Sequence, residues 1–176
     1  SVTGVHGVAL GTNASASSLY TTALGADAAA SGRYSTAVGI KAQATGTSAN
    51  ALGYNAQATG TWSNALGTDS VASNTLATAV GQQAQATGKY ATAIGATARA
   101  TGQDATALGK GAYASGQDSV ALGKYATANA QAATAVGKYA SATGIASSAF
   151  GYGAHASGYI STALGTDANA AGDLSI

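Results

Sequence analysis

An Ala-aliphatic-Gly triplet recurs along this chain every 14 residues, ending at Gly11, Gly25, Gly39, Gly53, Gly67, Gly81, Gly95, Gly109, Gly123, Gly137, Gly151 and Gly165. Twelve copies follow one another with no insertion or deletion. A strict short period marks a solenoid, in which each repeat is one unit of structure stacked on the next. The unit Ser35-Thr36-Ala37-Val38-Gly39-Ile40-Lys41-Ala42-Gln43-Ala44-Thr45-Gly46-Thr47-Ser48 stands for the rest, and positions below are offsets from its triplet Gly.

Ala occupies offset −2 in all twelve repeats, and offset −4 always holds Gly, Ala, Ser or Thr. Between them lies a mostly Thr position, followed by the aliphatic. This period-two alternation predicts a short β-strand of about five residues. A Gly in every unit, and no 3.6-residue period, exclude helix. Offset +5 is again Ala in all twelve copies, and offset +3 is Ala except at Ser70. Variable residues alternate with them, which predicts a second strand, small inside and polar outside. A second Gly closes it at offset +7, with Ser18, Asn74 and Ala130 as exceptions. Gly there is expected to supply positive φ in a tight turn. Asn74 would substitute naturally, and Ala130 would force a locally different turn.

Two strands and two turns per repeat give one coil of a flattened parallel roll, with coils about 4.8 Å apart. The predicted fold is all-β, a parallel β-roll of about twelve 14-residue coils, in one domain. Its interior is lined by alanines such as Ala37, Ala44, Ala51, Ala58, Ala86, Ala93, Ala100 and Ala107. Leu, Ile, Val and Phe together number only 24, too few for an ordinary core. By strand parity the aliphatics Leu10, Leu24, Val38, Leu52, Leu66, Val80, Ile94, Leu108, Leu122, Val136, Phe150 and Leu164 project outside the roll. The alternative is that they sit at a corner and point inward. An external row this long exceeds the few hundred Å² of apolar patch that a monomer usually leaves exposed. It is therefore expected to be buried against identical chains in a small cyclic assembly.

The chain has no Cys, Pro, Met or Glu, and its net charge is +1. Thiolate metal sites and disulfides are excluded, and a near-neutral balance without a basic run argues against nucleic acid as the main partner. No apolar run approaches the roughly 20 residues of a membrane span, and nothing at the start reads as a signal peptide. The chain is expected to be a mature piece of something longer. His6 and His155 lie far apart in the repeat order, and the six acidic residues fall at different offsets, so neither a catalytic group nor a metal or cofactor site is expected. Asp27, Asp69 and Asp167 read as turn residues that bond their own backbone. Two ladders are candidate ligand surfaces: Lys110, Lys124 and Lys138 beside Tyr125 and Tyr139, with Tyr152 close by, and Tyr20 with Tyr34, then Trp62 at the same offset.

The units Ser119-Val120-Ala121-Leu122-Gly123, Ser35-Thr36-Ala37-Val38-Gly39 and Ala84-Gln85-Ala86-Thr87-Gly88 resemble the head repeats of YadA-type trimeric autotransporter adhesins. The resemblance covers essentially the whole chain. It implies a left-handed β-roll, three of which pack side by side as a homotrimer at the tip of a fibre on a Gram-negative cell surface. The trimer interface would be formed by Leu24, Val38, Leu52, Leu66, Val80, Ile94, Leu108, Leu122, Val136, Phe150 and Leu164. Residues 1–172 would be head repeats and residues 173–176 the start of a neck. The implied function is non-enzymatic: attachment to host extracellular-matrix or cell-surface ligands, with autoagglutination, and with membrane attachment only through a C-terminal outer-membrane anchor absent from this chain. An ice-binding solenoid is the rival reading, suggested by Thr ladders and low charge. A flat ice-binding face, however, should repeat Thr at alternate positions, whereas here Thr alternates with interior Ala and gives way to Asn50, Asn64 and Val120.

Overall fold

A computed structural model describes residues 1–176 throughout. It has no helix: the chain is a parallel β-roll of twelve coils, each contributing one three-residue and one two-residue strand. The three-residue strands are the odd-numbered ones, β1 (Val8–Leu10) to β23 (Thr162–Leu164). The two-residue strands are the even-numbered ones, β2 (Ser15–Ala16) to β24 (Asn169–Ala170). Two compact units divide the coils, Ser1–Thr87 and Gly88–Ile176. Within each unit odd strands pair with odd and even with even, always parallel and in 14-residue register, as in Thr36↔Asn50, Ala37↔Ala51 and Val38↔Leu52. The strands are shorter than the expected five residues because the triplet Gly leaves extended geometry, at a φ of 131° for Gly39.

Backbone groups bond from coil to coil through strands and corners alike. Thr22 N–H donates to the Ser35 carbonyl at 3.0 Å and Gly39 N–H to the Leu24 carbonyl at 2.7 Å. At one corner Lys41 N–H donates to the Ala26 carbonyl, and at the other Tyr34 N–H donates to the Leu19 carbonyl, both at 2.9 Å. Each corner is closed by its own turn bond, Ala42 N–H to Gly39 and Ser35 N–H to Gly32, both at 3.2 Å. Buried main-chain groups must find partners somewhere; here the neighbouring coil supplies most of them.

Four small residues per coil, at offsets −4, −2, +3 and +5, fill the interior. Ala37, Ala44, Ala51, Ala58, Ala86, Ala93, Ala100 and Ala107 are all fully buried. The largest fully buried side chains are Thr21 and the serines Ser35, Ser63, Ser70, Ser119, Ser147 and Ser161.

The turn expectations need correction. Left-handed residues sit at offsets +2 and +9, and most are not Gly: Tyr34 at φ 60°, Lys41 at 59°, Trp62 at 55°, Ile160 at 50°. The offset +7 residues, including Asn74 and Ala130, do not have positive φ. Gly is used at offset +7 for room: a Cβ on Gly46 would overlap the Gly60 carbonyl of the next coil. Ala130 therefore turns like its counterparts, Ala133 N–H donating to its carbonyl at 3.2 Å. What the larger residue loses is a second bond. Gly116 and Gly144 N–H each reach a carbonyl of the next coil at 3.4 Å, and the N–H groups of Ser18, Asn74 and Ala130 do not.

Candidate functional site

The outer face of the odd strands carries two rows. The first is polar, mostly Thr at offset −3. Asn50 and Asn64 interrupt it and join through Asn50 Nδ2, which donates to Asn64 Oδ1 at 3.0 Å. The second is the aliphatic row, which projects outward as strand parity requires. In the first unit Leu24, Val38, Leu66 and Val80 are half-buried and Leu52 is exposed. In the second unit Val136 is half-buried, while Ile94, Leu108, Leu122, Phe150 and Leu164 are exposed. Each rests on its counterparts in the adjoining coils of its unit, as Leu108 does on Ile94 and Leu122. Coil-to-coil packing covers the row's sides and leaves its crest in solvent.

Most aromatic residues sit at the corners, among them Tyr20, Tyr34, Trp62, Tyr90, Tyr125 and Tyr139 at left-handed positions, while Tyr113 and Phe150 lie on strands. Tyr20 and Tyr34 stack with ring centroids 5.6 Å apart and planes within 9°. The column begins one rung earlier than sequence reasoning placed it, since His6 stacks on Tyr20 at 4.8 Å. Its offset, +9 like that of the tyrosines, was the available signal. Trp62 shares the offset, but Ser48 stands between it and Tyr34.

At the opposite corner, in the second unit, Tyr125 and Tyr139 stack at 5.7 Å, and Tyr152 meets Tyr139 edge-on at 5.9 Å. The Tyr125 ring lies over Gly111, where a Cβ would lie 2.5 Å from its Cδ1 and Cε1. Lys124 Nζ lies 5.3 Å from the Tyr125 centroid, and Lys138 Nζ lies 4.8 Å from that of Tyr139 and 5.3 Å from that of Tyr152. Lys110, one coil earlier, is exposed and has Gly111 rather than a ring beside it.

A pattern missed in the sequence explains these pairs. Four basic-Tyr dipeptides, Arg33-Tyr34, Lys89-Tyr90, Lys124-Tyr125 and Lys138-Tyr139, place Tyr at a left-handed position with the cation over its own neighbour's ring. Such contacts are worth about 0.5–1 kcal/mol at exposed sites. Arg99 lies over Tyr113 of the next coil, so five of the seven basic residues face a ring. The turn aspartates also differ from expectation: Asp27 and Asp69 accept from the side chains of Asn13 and Asn55 one coil earlier, at 3.1 and 2.9 Å, rather than from their own backbone. No three His, Cys, Asp or Glu side chains gather where they could hold a metal ion.

No curated protein matches this sequence. Among solved structures, the chain is similar to the crystal structure of the collagen-binding domain of the Yersinia adhesin YadA. The two share 26% identity and a TM-score of 0.52, over 82% of this chain and 65% of that one. The chain thus spans about two thirds of that domain's length. The family model described as the YadA head domain repeat matches residues 3–28, 30–56, 72–98, 86–112, 100–126, 114–140, 142–168 and 156–176. With in-register coils, an interior of Ala and matches along nearly its whole length, the chain belongs to the family of YadA head domain repeats.

Proposed function

We propose that this chain is the head of a non-enzymatic adhesin. It works as a side-by-side homotrimer at the tip of a cell-surface fibre anchored in the outer membrane and attaches to host extracellular matrix, collagen included. The observation that carries the reading is the aliphatic row standing outside a roll whose interior holds nothing larger than Thr. Leu52, Leu108 and Leu122 are 38–41% exposed, and the same face recurs on coil after coil. Three copies meeting on a common axis would bury the row along with its flanking Thr positions. Burying such a side chain fully is worth about 1.5–3 kcal/mol, so association would supply stability that the thin interior does not. Three identical heads, and many fibres, would convert weak contacts into firm attachment by raising the effective concentration.

The likeness to a collagen-binding domain supports matrix as the partner class. The Thr row does not favour ice binding, since it shares its face with aliphatics and is broken by Asn50, Asn64 and Val120.

Sedimentation equilibrium of the wild type and of a Leu52→Asn, Leu66→Asn, Leu108→Asn variant tests the assembly, with binding to immobilised fibrillar collagen measured in parallel. The expected result is a trimeric wild type that holds collagen and a variant that dissociates and releases it. A stable monomer that ignores collagen would overturn the reading.

A further inference from the structure

The Lys110, Lys124 and Lys138 corner has a charge arrangement that nothing in the roll neutralises. The three ammonium groups share offset +1 on successive coils, so their stems start about 4.8 Å apart, and all three residues are exposed. Asp104 and Asp118 occupy offset +9, at the other corner, and each accepts a hydrogen bond from the Gln before it, at 3.0 and 3.2 Å. On the lysine corner the first carboxylate is Asp167, two coils beyond Lys138. A ladder of like charges is unfavourable unless an external anion compensates it.

The corner also restricts what the anion can be. Main-chain groups are already used: Tyr125 N–H donates to the Lys110 carbonyl, Tyr139 N–H to that of Lys124 and Gly153 N–H to that of Lys138, each at 3.0 Å. A peptide strand could not be held by its backbone here, as strand addition requires. Ring faces are used as well. Tyr125 lies between Gly111 and Tyr139, and Tyr139 between Tyr125 and the Lys138 ammonium. The Tyr125–Tyr139 stack and the cations over these two rings occupy faces that a nucleic-acid base would need for stacking. Three exposed lysines one coil apart and the phenol hydroxyls beside them remain, and these suit a chain of regularly repeated anions and hydroxyls.

We infer that the corner formed by Lys110, Lys124 and Lys138 with Tyr125, Tyr139 and Tyr152 binds a linear sulfated polysaccharide. Sulfate oxygens accept from the ammonium groups in charge-assisted bonds, and the phenols bond sugar hydroxyls. Lys124 and Lys138 are held in place for this by the rings beneath them. The inference rests on the adhesin-head reading for its setting and names a matrix component that this site would take.

The test is fluorescence anisotropy with a labelled heparin oligosaccharide, on the wild type and two variants whose fold is checked by circular dichroism. Lys110→Gln, Lys124→Gln, Lys138→Gln removes the corner, and Lys41→Gln, Lys89→Gln, Arg99→Gln removes equal charge elsewhere. The first is expected to weaken binding roughly tenfold or more, with steep salt dependence in the wild type, and the second to leave it nearly unchanged. Equal losses in both variants would overturn the inference, as would polyglutamate or single-stranded DNA binding as tightly as the heparin probe. A wild type that holds collagen and ignores heparin would overturn it while leaving the adhesin reading intact.

Discussion

Ser35 and Ser63 occupy the same offset two coils apart and fare differently. Ser63 Oγ donates to the Gly60 carbonyl at 2.7 Å, whereas Ser35 Oγ is buried without a partner, as is Ser147 Oγ. A buried hydroxyl left unpaired costs about 1–3 kcal/mol, and Ala fits the same place at Ala49 and Ala77. Ser35→Ala is expected to raise stability by about 1 kcal/mol and Ser63→Ala to lower it by about as much. Denaturant unfolding of the two variants checks this, and shifts of the same sign would contradict it. Backbone conformation was the least legible property at this scale. Gly at offset +7 invited an argument from positive φ, yet its role is to let coils approach. The left-handed positions instead hold residues such as Tyr34, Trp62 and Ile160. Bulky side chains there cost about 1–3 kcal/mol each when the surroundings impose the conformation. The coil-to-coil bond from each such N–H imposes it, and no sequence pattern announces that bond.

The strands were legible in kind and interior face, because alternation of Ala with variable residues has one physical reading. Their length was not, since the triplet Gly ends each odd strand by geometry rather than by composition. The odd strands differ in the outer polar row as well as in the aliphatic one. At β7 (Asn50–Leu52) and β9 (Asn64–Leu66) that row carries the bonded Asn pair, where β17 (Val120–Leu122) carries Val. A perfectly repetitive aliphatic row would let neighbouring chains slip by one coil with little penalty, and polar residues in an apolar seam are known to specify register at a cost in stability. In the proposed trimer, Asn50→Val with Asn64→Val is therefore expected to strengthen association by about 1–2 kcal/mol and to admit slipped pairings. Thermal unfolding and cysteine trapping at a substituted Leu52 would report the two effects. An unchanged midpoint with a single trapped register would count against the role given to the pair.

The whole chain buries almost nothing larger than Ala, so its order comes from main-chain ladders rather than from a hydrophobic core. That much followed from composition and period, and the exposed aliphatic row followed from parity. The proposed ligand surface was legible only as residues at equal offsets, since which cation covers which ring at the corners depends on left-handed positions that the sequence conceals. If the coil is the structural unit, removing residues 40–53 joins Gly39 to Tyr54 in register and should leave a folded β-roll. Removing residues 40–46 joins mismatched halves and should not. Far-ultraviolet circular dichroism and proteolysis separate the outcomes, and equal tolerance of both deletions would argue against the coil as the unit.

The bonds linking like corners have a consequence at the level of the gene. Each corner N–H needs only the carbonyl at the matching place in the coil before, whichever coil that is. Fourteen codons are therefore a natural unit of gain and loss. Replication slippage by that amount lengthens or shortens the protein and returns every surviving residue to a partner of the same kind. Lineages can add or drop a basic or aromatic rung this way without passing through an unfolded ancestor.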